Sequence, residues 1–179
     1  DLKFLGKFDL ALGSMLNYFN AYFAAGLSLG AILESKLLVL DEFCQSIDRS
    51  GFAATFQIHR QFVMNLRQKS EHPTLLDGPA FKQDTVLAEM NDQNRKMTLR
   101  DASVYRLELA FIFNDTECMA AMLETLSGYP FEDQVISRFY IRACFMGLAS
   151  FSLVKKNHVI GNQCLKYFRR MKKLGSTNA

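Results

Sequence analysis

The sequence predicts an all-α chain of stacked antiparallel helical pairs, and three observations predict it. Apolar residues recur at three- and four-residue intervals through most of its length, the spacing of one helix face. Three prolines and ten glycines are too few turn formers for a sandwich of short strands. Two of those prolines fall together in NLRQKSEHPTLLDGPAF, from Asn65 to Phe81, which leaves helical patterns on either side of one long irregular stretch.

Taken in order, the first helical region contains Leu10 to Leu33, a run without a charged residue. Its length and the GxxxG spacing of Gly26 and Gly30 raise a transmembrane reading. Asn17, Asn20, Ser14 and Ser28 inside the run, and Glu34 directly after it, favour a buried helix packed closely by its small residues instead. Ser35 is the expected N-cap of a helix to about Arg49, with Leu37, Leu40, Phe43, Cys44 and Ile47 at helical spacing and Gly51 closing it. A helix from about Phe52 to Gln68 follows, placing Phe52, Phe56, His59 or Arg60, Val63 and Leu66 or Arg67 along one face.

Pro73 and Pro79 each remove a backbone donor and disfavour α geometry in the residue before, so no helix runs through both. Asp77-Gly78 is a turn signal. Leu75, Leu76 and Phe81 are apolar, which predicts a loop folded back on the core as a packed connector. Phe81 to Met90 reads as a short helix, and NDQNRK from Asn91 to Lys96 as a turn. Thr98 or Asp101 is the expected start of the next helix, with Val104, Leu107, Leu109, Ala110, Ile112 and Phe113 inward. Asn114-Asp115 breaks it, and Asp115 caps a helix to about Leu126, ended by Ser127-Gly128-Tyr129-Pro130. Two further helices are expected, from about Asp133 to Val154 and from Ile160 to Leu174. Pairs starting near Met15, Phe52, Thr98 and Asp133 are separated by roughly 35 to 45 residues, the period of two-helix repeats.

The net charge of +3 is unevenly spread: from Lys155 onward there are seven basic residues and no acid, while the part before carries 14 basic against 18 acidic residues. Lys166, Arg169, Arg170 and Lys173 share one helical face and form the candidate partner surface, with Leu165, Phe168, Met171 and Leu174 as an inward stripe. Such a face serves an acidic neighbour domain, a membrane surface or nucleic acid; the expectation is protein partners or neighbouring domains, no specific nucleic acid and no transmembrane segment. Cys44, Cys118, Cys144 and Cys164 are far apart with no CxxC, so reduced thiols of a cytoplasmic protein are expected, with no metal and no cofactor. The chain opens on DLKFLGKFDL without a secretory signal or an initiator Met, and is expected to be a single helical-repeat domain, residues 1–179, excerpted from a longer polypeptide.

Catalytic signatures are absent: no phosphate-binding GxxxxGK[ST], no GxGxxG after a strand, no HExxH and no GxSxG. Two constellations remain for an enzymatic alternative. Cys44 with His59 has the residue types of a nucleophile and its base, and Glu108 with Glu117 those of paired carboxylates. Buried structural side chains for the first, and solvated helix faces for the second, are the expectation.

The succession of LNYFNAYFAAGLSLGAILES, a helix ending in Asn65-Leu66-Arg67, the turn carrying Pro73, Leu76, Gly78 and Phe81, the YRLELAFIFND hairpin, Phe139-Tyr140 with Gly147-Leu148-Ala149, and the basic stretch Leu165 to Leu174 resembles the helical-repeat region of very large sensor proteins. Those proteins join a kinase-like domain, an AAA-type ATPase, a tetratricopeptide-like region, a GAF domain and a histidine kinase. The resemblance spans nearly the whole chain, though Lys82 departs from the acidic run of the family. It implies a tetratricopeptide-like α-solenoid segment that scaffolds signal transduction and is not itself an enzyme.

Overall fold

The structure is a computed structural model that describes residues 2–47, 49–67, 72–88, 90–129 and 136–155. Over these the chain forms α1 (Leu2–Ala24), α2 (Ala31–Ser46), α3 (Ser50–Arg67), α4 (Gln83–Ala88), α5 (Asp92–Ile112), α6 (Thr116–Ser127) and α7 (Ile136–Lys155). There is no strand among the described residues, and no helix among them is long and apolar enough to cross a membrane.

Helix ends follow local chemistry, in places other than the pattern predicts. The charge-free run is no single helix. Gly26 takes φ 66°, its N–H donates to Phe23 O at 2.9 Å and that of Leu27 to Tyr22 O at 3.4 Å, a glycine-terminated helix end. The Tyr22 hydroxyl then donates to Ser28 O at 2.8 Å across the turn. Helix α2 therefore starts four residues before the predicted cap, with Gly30 at N-cap and Ser35 already inside it. Gly51 does not close α2 either; it lies in the first turn of α3.

The run NDQNRK is helical. Asn91 Oδ1 accepts from Asn94 N at 2.9 Å, and Arg95 reaches back to Leu87 O at 3.1 Å, so α5 begins two turns before Thr98. Its polar residues are the exposed face of a helix, not a break. At the other end Asn114, φ 57°, terminates α5 with Asn114 N donating to Phe111 O and Asp115 N to Ala110 O. Asp115 Oδ1 caps α6 by accepting from Cys118 N at 3.0 Å, as expected.

Helix α2 packs on α3, α5 on α3 and α6, and α7 on α5, α6 and α1. Helices α1, α3 and α5 run in the same direction: Arg49 and Asn94 lie near Asp9 and Gly51 at one end, Phe62 near Phe23 and Tyr105 at the other. The chain returns from α3 to α5 through the proline loop and the short α4 instead of a full second helix. Two apolar clusters flank α5. One joins Leu16, Phe19, Leu37, Phe56, Ile58 and Leu109; the other joins Leu107, Met119, Leu123, Leu126, Met146 and Leu153. Ile112 and Phe113, expected inward, are exposed at the end of α5 beyond both.

The loop is the packed connector its sequence predicts. Leu76, Ala80 and Phe81 are buried, whereas Leu75, expected to fold back with them, is exposed at the outside of the turn. Gln61 and Asn65 of α3 hold it by their amides, Gln61 Oε1 accepting from Ala80 N at 3.0 Å and Asn65 Nδ2 donating to the carbonyls of Pro73 and Leu75. On its far side Thr74 donates to Asp115 Oδ2 at 2.9 Å, tying the loop to the cap of α6.

Candidate functional site

Thr98, Asp101, Tyr105 and Glu108 follow one another on α5 at intervals of three and four residues, and so share a face. That face meets α3 and α1, where Thr55, His59 and Asn20 continue the polar stripe; all seven side chains are buried. Sequence reading misses Asn20 and Tyr105 and misplaces Glu108. The detectable signal is the spacing itself, four polar residues on one stripe of a helix that is otherwise apolar near its centre.

The stripe begins in an open cleft of about 610 Å³ between α1 and the first turns of α3 and α5. Asp9, Arg49, Thr55, Asn94, Thr98 and Asp101 are among its lining. Arg49 Nε lies 3.0 Å from Asp9 Oδ1 at an angle that makes a charge contact without a hydrogen bond. Both side chains are partly exposed, so the pair adds little stability.

Deeper in, the stripe is sealed. His59 Nδ1 donates to Thr55 O at 2.7 Å, its Nε2 faces the Tyr105 hydroxyl at 2.5 Å and Asn20 Oδ1 at 3.3 Å, and the Tyr105 hydroxyl is 3.0 Å from Asn20 Oδ1. Beside them Glu108 is fully enclosed, and burial pushes its carboxyl well above the usual range. This corrects the expectation of a solvated face. Glu117 is exposed on α6, so the two carboxylates form no pair on a common site.

Cys44 and His59 do not form a nucleophilic pair. Cys44 sits in the apolar cluster of α2 and α3, where burial and the neighbouring Asp41 charge push its thiol up to about 11, while both ring nitrogens of His59 face other partners. Asp41 itself is raised by burial, partly offset by hydrogen bonds from Gln45 and Gln57 at 2.8 and 2.9 Å. No group of three His, Cys, Asp or Glu side chains among the described residues is placed to hold a metal ion. Lys166, Arg169, Arg170 and Lys173 lie outside the described residues.

A second surface is apolar. Helices α1 and α2 splay apart over a groove of about 600 Å³ floored by Phe19 and Leu40, with Met15, Tyr18 and Val39 on its walls and Lys36 at its edge. Tyr18 is 51% and Val39 63% exposed, an unusual degree for large apolar side chains on adjacent helices. Comparison of the chain with protein-family models, curated proteins and solved structures gives no match.

Proposed function

We propose that the chain is a non-catalytic helical-repeat scaffold of a cytoplasmic signal-transduction protein, a tetratricopeptide-like stack linking an ATPase to a sensor kinase as its resemblance implies. The observation that carries this reading is the α1–α2 groove. Helices α5 and α6 form an apolar face of their own, and there α7 lies on it and completes a core. The α1–α2 groove offers the same kind of seat with Tyr18 and Val39 open to solvent. Stacked helical pairs bury their apolar surface in this way, each seating the next.

The occupant we assign is an amphipathic helix of a neighbouring domain of the same polypeptide, with an apolar stripe on Met15, Tyr18 and Val39 and a carboxylate for Lys36. The test is calorimetric titration of this chain with the separately expressed flanking domains. Tyr18→Glu with Val39→Glu should abolish the interaction while leaving the circular dichroism spectrum unchanged. Equal binding by the double variant would refute the assignment. The rival enzymatic reading places a substrate in the 610 Å³ cleft, and predicts an activity that Asp101→Asn removes without affecting domain binding.

A further inference from the structure

Glu108 is the group that the scaffold reading does not use. Its side chain is fully buried, and neither carboxyl oxygen has a hydrogen-bond partner. Nor does Asn20 Nδ2, in a side chain that is itself buried. Both residues, with His59 and Tyr105, line one narrow void of about 20 Å³ among α1, α3, α5 and the start of α2. A water molecule needs roughly 10 to 15 Å³ of such volume and two or more polar partners, and this void offers both.

We infer that the void is an occluded water site, and that its water, with one proton shared between Glu108 and His59, latches α1 onto α3 and α5. The proton count follows from the donors. Thr55 O can only accept, so His59 Nδ1 carries hydrogen. In a neutral ring Nε2 is then an acceptor, and the Tyr105 hydroxyl has one proton to divide between Nε2 and Asn20 Oδ1. A proton on Nε2 satisfies Asn20 Oδ1 as well, at 3.3 Å. Whether it sits on the ring or on the Glu108 carboxyl, the cluster stays neutral and titrates as a unit.

Removing that proton leaves a carboxylate with no counter-charge in a sealed site, the state that burial penalises most. The other residues on the void from α1, α2 and α3 are apolar, Tyr105 is the remaining titratable group, and α6 and α7 contribute nothing to the lining. Asn20 is the polar link of α1 to both α3 and α5 at this level, so an unpaired charge beneath it loosens α1 first.

The experiment compares unfolding of the whole chain and its Glu108→Gln variant from about pH 7 to pH 8.5, where an unfolded histidine is already neutral. A carboxyl whose proton is retained only in the fold makes the unfolding constant of the wild type rise about tenfold more per pH unit than that of the variant. Parallel slopes overturn the proposal. Should Glu108→Gln fail to fold, the wild type alone decides: a carboxylic-acid infrared band or an imidazolium nuclear magnetic resonance signal from His59 is expected at pH 7, and absence of both overturns it. Hydrogen exchange, corrected for its intrinsic pH dependence, should show α1 losing protection before α6 as pH rises; equal loss refutes the latch. A dry void in a high-resolution crystal structure refutes the water site.

Discussion

The side-chain amide of Asn65 donates to the backbone carbonyl of Leu75 at 2.5 Å, and to that of Pro73 at 3.0 Å, so one residue of α3 fixes both sides of the turn that follows it. Gln61, one helical turn earlier, donates to Asn65 Oδ1 at 2.8 Å and orients that amide. The loop is thereby part of the fold's polar interior.

Asn65→Ala should destabilise the protein by about 2 to 3 kcal/mol, because it strands two carbonyls of which Leu75 belongs to a turn with no other described donor to it. Urea unfolding measures this, and the loop should become the first site of proteolysis. A loss under about 0.5 kcal/mol would mean that solvent replaces the amide without cost.

Gly78 is a position of close approach. A Cβ there would come within 2.6 Å of Gln61 Nε2 and 2.8 Å of its Oε1, atoms already held by Ala80 N and Asn65. Gly78→Ala should cost about 1 to 3 kcal/mol by displacing Gln61 from these bonds. In a double-mutant cycle with Gln61→Ala, the pair should cost at least about 0.5 kcal/mol less than the sum of the single changes. Additivity would show that the alanine methyl is accommodated elsewhere.

The two clusters on α5 make different demands at neighbouring positions. Leu107→Ala and Leu109→Ala, each fully buried but in opposite clusters, should each cost about 3 kcal/mol or more. Ile112→Ala, near the exposed end of the same helix, should cost less than about 1 kcal/mol. Equal losses at all three would contradict the register of α5.

Burial raises the Cys44 thiol to about 11, so in the fold it holds its proton to higher pH than an unfolded cysteine does. The associated stability is present below the ordinary thiol range near 9 and is lost as pH rises from there through about 11. Above about pH 9 the wild type should therefore lose stability relative to Cys44→Ala. Native thiol labelling, read by peptide mass spectrometry, should modify exposed Cys144 rapidly and Cys44 only at the rate of unfolding.

Much of the fold was legible from neighbouring residues alone. Pro73 and Pro79 forbid a continuous helix, Asp115 caps α6 with its own side chain, and apolar spacing gives α3 and α6 within a few residues of their observed bounds. These features depend on atoms a few positions apart, which one sequence specifies directly. The polar run before α5 misled because a turn and an exposed helical turn have the same composition; Arg95, reaching Leu87 O and Met90 O, marks it as helix.

Glu108 belongs to the other category. Nothing adjacent in sequence distinguishes it from Glu117, and both lie on helices of similar pattern. The packing of α1 and α3 against one face of α5, and of α6 and α7 against another with α7 also reaching α1, encloses the first and leaves the second in water. The same packing brings Asn20 to His59 and Tyr105 across 39 and 85 residues of chain. Helical period and capping were set by the sequence through short-range bonding. Which polar groups are buried together was decided by tertiary structure, because a helix with apolar residues on two faces has no face its own sequence assigns to solvent.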